Sequence, residues 1–144
     1  MTTRMKVEQA KDIRVLVVDD EIEIRELLSE FLKDTGFEVA IAGTGNEALA
    51  QASRFSPHVI LLDIILPDID GISVYETLRR NRLQSKIPIV FFSALAENRA
   101  VVFSKRIRGV APYALIPKPV NTTLLVKEIQ KLLETASPKT ANDN

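Results

Sequence analysis

Five residues with polar side chains come just after short apolar segments: Asp19, Asp20, Asp63, Ser93 and Lys118. Three of them are acids, one carries a hydroxyl and one carries an amine. Crowded carboxylates repel one another and raise each other's pKa unless a cation neutralises them. Oxygen donors and a single histidine in the chain favour a hard ion, and Mg²⁺ fits best because it binds through a few carboxylates, waters and phosphate. A carboxylate can then act as a nucleophile toward a phosphoryl group, with lysine and serine as donors to the transferring oxygens.

These side chains can meet only if the apolar segments before them lie side by side. The segments are short and mostly rich in β-branched residues, which predicts strands at 15–18, 39–42, 59–62, 87–92 and, more weakly, 114–116. Amphipathic helical patterns separate them, so the order is (βα)5 and predicts an α/β, flavodoxin-like, doubly wound three-layer sandwich with a parallel five-stranded sheet. In such sheets ligands bind beyond the carboxyl ends of the strands. The five polar residues are therefore expected at one edge.

Composition narrows the class of protein. A chain of 144 residues with 46% hydrophobic residues suits one folded domain, which we place at 12–135 between flexible ends at 1–11 and 136–144. Its 19 basic and 19 acidic side chains cancel, so bulk charge gives no reason to expect a nucleic-acid partner. No secretory signal or membrane-spanning run is visible. We expect a cytoplasmic protein without a membrane partner.

Some of these residues also have ordinary structural interpretations. Asp20 could cap the first helix, and Ser93 and Lys118 taken singly are common loop chemistry. Asp68 and Asp70 are better interpreted as turn and helix-start residues than as metal ligands. Only the combination of acids, hydroxyl and amine favours a site over coincidence.

Four motifs together resemble the receiver domains of two-component response regulators. They are the acid pair that closes 15–21, the segment 63–71, the turn at 92–94 and the pair at 118–119, and the resemblance covers about residues 13–133. It implies that Asp63 is the phosphoacceptor, that Asp20 binds Mg²⁺ directly and that Asp19 acts largely through water. It also implies a backbone-carbonyl ligand at Ile65, the strand order 2-1-3-4-5 and a cis peptide before Pro119.

The same resemblance implies partners and a switch. The phosphoryl donor would be a histidine kinase or a histidine phosphotransfer protein, docking near Ile24 and Pro119. Receivers usually carry an aromatic residue three positions before the lysine, where this chain has Leu115. We therefore expect the usual aromatic readout to be absent or shifted, with the switch carried by Ser93 and residues 94–112. Apolar Ile65 and Leu95 beside the phosphoryl group predict slow hydrolysis.

Three functions remain to be compared. The first is a phosphoacceptor regulator that is not an enzyme, has no output domain of its own and acts by docking to a downstream protein that the sequence does not identify. The second is a receiver-like binding module that is never switched. The third is a phosphate-ester hydrolase, which would typically place an acid-base aspartate two residues after its nucleophile, where this chain has Ile65.

Overall fold

The computed structural model describes residues 12–93 and 113–136 of the chain. Five strands form one parallel sheet in the order β2-β1-β3-β4-β5, and four helices lie within the described residues. In chain order the elements are β1 Arg14–Val18, α1 Ile22–Thr35, β2 Glu38–Ala42, α2 Gly45–Phe55, β3 Val59–Asp63, α3 Gly71–Arg80, β4 Ile89–Ser93, β5 Tyr113–Pro117 and α4 Thr122–Ala136. This confirms the predicted fold class and strand order. The helix expected between β4 and β5, and the flexible ends apart from Ala136, fall outside the described residues.

Most strands lie within one residue of their predicted bounds, but β4 begins later than the apolar run at 87–92 indicates. Pro88 has no N–H to give to the sheet ladder, although its carbonyl accepts a hydrogen bond from the Ile60 N–H at 3.1 Å. The strand therefore starts at Ile89 and extends through Ser93, which makes Ser93 the last residue of the strand rather than a residue after it.

Side-chain alternation along the strands divides the core into two layers. Val15 and Val17 point toward the layer that contains α1 and α4, whereas Leu16 and Val18 point toward the layer that contains α2 and α3. All four are fully buried. A strand that is covered on both faces requires apolar residues at every position rather than at every second one. The three-layer sandwich therefore follows from the strand sequences.

The helices begin and end at residues suited to those positions. Thr44 accepts a hydrogen bond from the Glu47 N–H at the start of α2, and Asp70 accepts one from the Ser73 N–H at the start of α3. α1 ends at Gly36, whose φ of 114° lies in the left-handed region where glycine is favoured. The Thr44 and Asp70 caps lie in the loops that follow β2 and β3, at the carboxyl edge of the sheet.

His58 directly precedes β3 and therefore lies at the opposite edge of the sheet. Its Nδ1 accepts a hydrogen bond from the Arg14 N–H at 2.9 Å. Burial, followed by the nearby Arg14 charge, lowers the pKa of His58 below its ordinary value. The chain's single histidine is therefore a structural acceptor, remote from the acid cluster.

Candidate functional site

Three aspartates meet at the carboxyl edge of the sheet. Carboxylate oxygens of Asp19, Asp20 and Asp63 all lie within 4.8 Å of one another. Asp19 is fully buried and Asp63 is 3% exposed, whereas Asp20 is exposed. The convergence follows from the topology, because β1 and β3 are parallel neighbours whose last residues share one edge.

Lys118 reaches into this cluster from the loop after β5. Its Nζ lies 2.9 Å from Asp63 Oδ2 and 3.0 Å from Asp19 Oδ2, and 5.3 Å from the centroid of the Phe92 ring. Its backbone N–H donates to the Ser93 carbonyl at 3.0 Å. The lysine ammonium is thus placed between two buried carboxylates, and the end of β4 holds its backbone in place.

Burial and charge act in opposite directions on these groups. Burial raises the pKa of Asp63 and the Asp19 charge adds to this, although hydrogen bonds from Lys118 and from the Ile65 N–H oppose the rise. Burial works to lower the pKa of Lys118, but its hydrogen bonds and attraction to Asp63 and Asp19 outweigh that and raise the pKa. The amine is therefore an ammonium ion at neutral pH.

The backbone also holds the two buried carboxylates. Asp19 Oδ1 accepts a hydrogen bond from the Glu21 N–H at 2.8 Å, and Asp63 Oδ1 accepts one from the Ile65 N–H at 3.0 Å. Glu21 is the N-cap residue of α1 and makes no side-chain capping bond. The alternative in which Asp20 caps this helix is therefore wrong, and its exposed carboxylate is available for another partner.

Ser93 is 5% exposed, and its Oγ has no hydrogen-bond partner among residues 12–93 and 113–136. A buried hydroxyl without a partner is costly, so such groups usually have a partner, a water or a ligand. Three clustered carboxylates are ligands of the type that hard divalent cations prefer. The side chains present therefore fit an ion and a phosphoryl group in this region.

The loop after β3 approaches the Asp63 backbone very closely. The Gly71 N–H donates to the Ile64 carbonyl at 2.7 Å, and a Cβ at Gly71 would lie 2.4 Å from the Asp63 carbonyl oxygen. Asp68 accepts hydrogen bonds at 2.8 Å from the Gly45 and Asn46 N–H groups at the start of α2. Asp68 therefore ties this loop to α2, outside the acid cluster.

A family model described as the response regulator receiver domain matches residues 15–130. The chain belongs to the receiver domain family of response regulators. Relatives include the transcriptional regulatory protein CpxR homolog of Haemophilus influenzae, 37% identical over 87% of this chain and 52% of that protein. Another is a probable transcriptional regulator, ycf27, of Porphyridium aerugineum, 33% identical over 91% of this chain and 52% of that protein. The receiver spans about half the length of these two relatives.

Two solved structures share the fold of this chain over nearly their whole length. The CheY-like response regulator receiver domain protein of Methanospirillum hungatei matches with a TM-score of 0.74 and 31% identity, over 86% of this chain and 95% of that one. The chemotaxis protein CheY4 of Vibrio cholerae gives a TM-score of 0.74 and 31% identity, over 83% and 98%. No helix in the described part of the receiver is long and apolar enough to cross a membrane.

The expected docking and switch residues that the structure describes lie on α1, on β5 and in the loop after β5. Ile24 is half-buried and packs against the core on the α1 and α4 side. Pro119 is exposed and follows a cis peptide bond, as the resemblance implies.

Leu115 is 37% exposed on the edge strand β5, and the nearest aromatic residue along that strand, Tyr113, packs edge-on against Phe91. Leu95 and the proposed switch segment 94–112 lie outside the described residues.

Two residues near the site were not singled out from the sequence. Glu21 places Oε1 3.2 Å from Lys118 Nζ, and Arg25 places Nη1 2.8 Å from the Asp19 carbonyl oxygen. Charged residues at the start of a helix usually face solvent, so the sequence positions of Glu21 and Arg25 do not indicate these contacts. The acid directly after the acid pair was the only available hint for Glu21.

Proposed function

We propose that this receiver is a phosphorylation switch that accepts a phosphoryl group on Asp63 with the help of a bound Mg²⁺. The observation that carries the proposal is the position of Lys118 Nζ, 2.9 Å from Asp63 Oδ2 and beside the Asp19 carboxylate. An ammonium ion held there can neutralise charge on the oxygens of a phosphoryl group that approaches Asp63.

In the proposed reaction, a carboxylate oxygen of Asp63 forms a bond to phosphorus. The bond between phosphorus and the donor breaks, and its electron pair leaves with the donor. Lys118 donates charge-assisted hydrogen bonds to the transferred oxygens, and Ser93 Oγ, which has no partner in the described part of the chain, supplies a further donor. The chain thus promotes only its own modification and is not an enzyme acting on a separate product.

Asp19, Asp20, Asp63 and the backbone carbonyl of Ile65 would hold the Mg²⁺. When bound, the ion neutralises the crowded carboxylates and supplies positive charge to the phosphoryl oxygens. Exposed Asp20 is the acid with an open side toward solvent and is proposed as the direct ligand. Asp19 is fully buried and already holds the Glu21 N–H and Lys118, which supports an indirect role through water.

The proposed phosphoryl donor is a histidine kinase or a histidine phosphotransfer protein, and the proposed output is docking to a further protein. Ile24 and Pro119 remain our candidates for the donor's contact surface. The second candidate function, a binding module that is never switched, differs in one respect that can be measured. It predicts that Asp63 stays unmodified when donor and Mg²⁺ are supplied.

The test is incubation with a small-molecule phosphodonor, with and without Mg²⁺, followed by intact-mass measurement. We expect one added phosphoryl group in wild type only when Mg²⁺ is present, and none in Asp63→Asn. Asp70→Asn is the matched control, because asparagine is as good an N-cap as aspartate and Asp70 caps α3 outside the cluster. Wild-type protein that remains unmodified with donor and Mg²⁺ would favour the unswitched module.

A further inference from the structure

Arg25, the fourth residue of α1, extends back toward the end of β1. Its Nη1 donates a hydrogen bond to the Asp19 carbonyl oxygen at 2.8 Å. The side chain is partly buried, and its Nε is buried without a hydrogen-bond partner among the described residues. Arg25 is therefore partly removed from solvent and hydrogen-bonded to a backbone carbonyl, whereas an ordinary surface arginine keeps its guanidinium hydrated.

With this contact, each polar atom of Asp19 has either a hydrogen bond or an ion pair. Its N–H donates to the Ala42 carbonyl at 3.1 Å, Oδ1 accepts from the Glu21 N–H at 2.8 Å, and Oδ2 lies 3.0 Å from Lys118 Nζ. Arg25 holds the remaining atom, the carbonyl oxygen. Because the carbonyl belongs to the peptide that joins Asp19 to Asp20, fixing its orientation restrains the stretch of backbone that carries both carboxylates.

Gly43 provides the space that Arg25 occupies. A Cβ at Gly43 would lie 2.5 Å from Arg25 Nη1 and 3.4 Å from its Cζ. The φ of Gly43 lies outside the left-handed region, so its backbone conformation does not itself require glycine. The atom that an alanine side chain would meet is the end of a flexible side chain, so an alanine here should displace the guanidinium and leave the fold intact.

We propose that Arg25 is a positioning residue for the acid pair, and that Gly43 leaves room for its guanidinium. The inference rests on the proposed function, because it assigns Arg25 to the same cation site. The planar guanidinium is suited to this because its donors are fixed relative to one another. Partners that orient metal ligands without touching the metal commonly affect metal affinity by tenfold or more.

Electrostatics alone predicts the opposite effect, which makes the inference testable. Removing the positive charge of Arg25 from the neighbourhood of the acids should strengthen binding of a cation. If Arg25 acts by orienting the acids, its removal should weaken that binding instead. The sign of the change therefore separates positioning from charge.

The experiment is a double-mutant cycle on the full chain, with Mg²⁺ affinity measured by isothermal titration calorimetry without phosphodonor. Arg25→Met and Gly43→Ala should each weaken Mg²⁺ binding by about tenfold. The double variant should bind no more weakly than Arg25→Met, because the added methyl group then has no guanidinium to displace. Arg25→Lys, which keeps the charge and a donor, should recover part of the affinity.

Two controls accompany the cycle. Arg54→Met removes an exposed charge from α2 and should leave Mg²⁺ affinity within about twofold of wild type. Urea denaturation of each variant in metal-free buffer detects general destabilisation. Loss of stability with unchanged Mg²⁺ affinity would overturn the inference, since it would make Arg25 a structural residue only.

Two further results would also overturn it. One is Mg²⁺ binding by Arg25→Met that equals or exceeds that of wild type, and the other is weakening by Gly43→Ala that persists in the Arg25→Met background. Gly43→Ala alone keeps the inference testable if Arg25→Met fails to fold. Absence of Mg²⁺ binding by wild type would overturn the proposed function and this inference together, whereas normal wild-type binding with unaffected variants would overturn only the inference.

Discussion

Replacing Lys118 with methionine should destabilise the metal-free protein more than any ordinary surface change. The side chain is 13% exposed, and its Nζ lies 2.9 Å from Asp63 Oδ2 and 3.0 Å from Asp19 Oδ2. Methionine keeps similar length and apolar contact but leaves two buried carboxylates without their cation. The variant therefore isolates the ammonium group.

The structure gives the order of magnitude. Unit charges about 3 Å apart attract by about 5.5 kcal/mol at an effective dielectric constant of about 20, and the desolvation of all three groups offsets much of this. Removing one partner from a buried ion pair costs about 3–5 kcal/mol. Burial raises the pKa of Asp63, so the variant can relieve some repulsion by taking up a proton there. We therefore expect a loss of about 3 kcal/mol, at the lower end of that range.

The measurement is urea denaturation followed by far-UV circular dichroism at neutral pH, with a chelator present. Lys127→Met is the matched control, because Lys127 is an exposed residue of α4 and its replacement should change stability by no more than about 0.5 kcal/mol. Adding Mg²⁺ should stabilise Lys118→Met more than wild type, since the ion replaces the missing charge. Equal stability of the Lys118 and Lys127 variants without Mg²⁺ would refute the reasoning.

Three further predictions concern the surroundings of the site. Gly71→Ala should lower the free energy of unfolding by about 1–3 kcal/mol in urea titration, because a Cβ would lie 2.4 Å from the Asp63 carbonyl oxygen. It should also slow phosphorylation from a small-molecule donor. Wild-type stability together with a wild-type phosphorylation rate would show that Gly71 is not tightly packed against Asp63. The folded-state pKa of His58 is lowered, so the unfolded chain binds more protons and stability should fall as pH drops through about 6.5. His58→Gln should reduce that fall between about pH 7.5 and about pH 5.5, and an unchanged pH dependence would show that the imidazole is not responsible. Ile65→Asn should speed hydrolysis of the phosphorylated form, because Ile65 is 55% exposed and offers no hydrogen bond to an attacking water. The rate is measured as the loss of phosphoryl label with time. An unaltered lifetime of the phosphorylated form would reject this prediction.

The sheet could be predicted from sequence because its strands are buried on both faces. Runs such as 15–18 and 59–62 are apolar at every position, and only a strand covered by helices on both sides requires that. The convergence of Asp19, Asp63 and Lys118 then follows from parallel topology. The start of β4 was predicted too early because apolar character continues through Ile87, although Pro88 cannot donate to the ladder.

The contacts that hold the site together could not be predicted in the same way. Glu21 is the N-cap residue of α1 and Arg25 lies on its first turn. Charged side chains at the start of a helix usually face solvent, and only the folded structure brings these two to Lys118 and to the Asp19 carbonyl. Asp68 looked like a turn residue but accepts hydrogen bonds from the start of α2, more than twenty positions earlier in the chain. Such side-chain partners depend on tertiary distances that periodicity does not encode.

The most direct test of the central claim is to locate the phosphoryl group chemically. After incubation with a small-molecule phosphodonor and Mg²⁺, borohydride reduction converts an acyl phosphate on aspartate to homoserine, and peptide mass spectrometry then identifies the position. We expect homoserine at position 63 in wild type, dependent on Mg²⁺, and none at positions 19 and 20. Reduction at another aspartate, or at none despite donor and Mg²⁺, would contradict it.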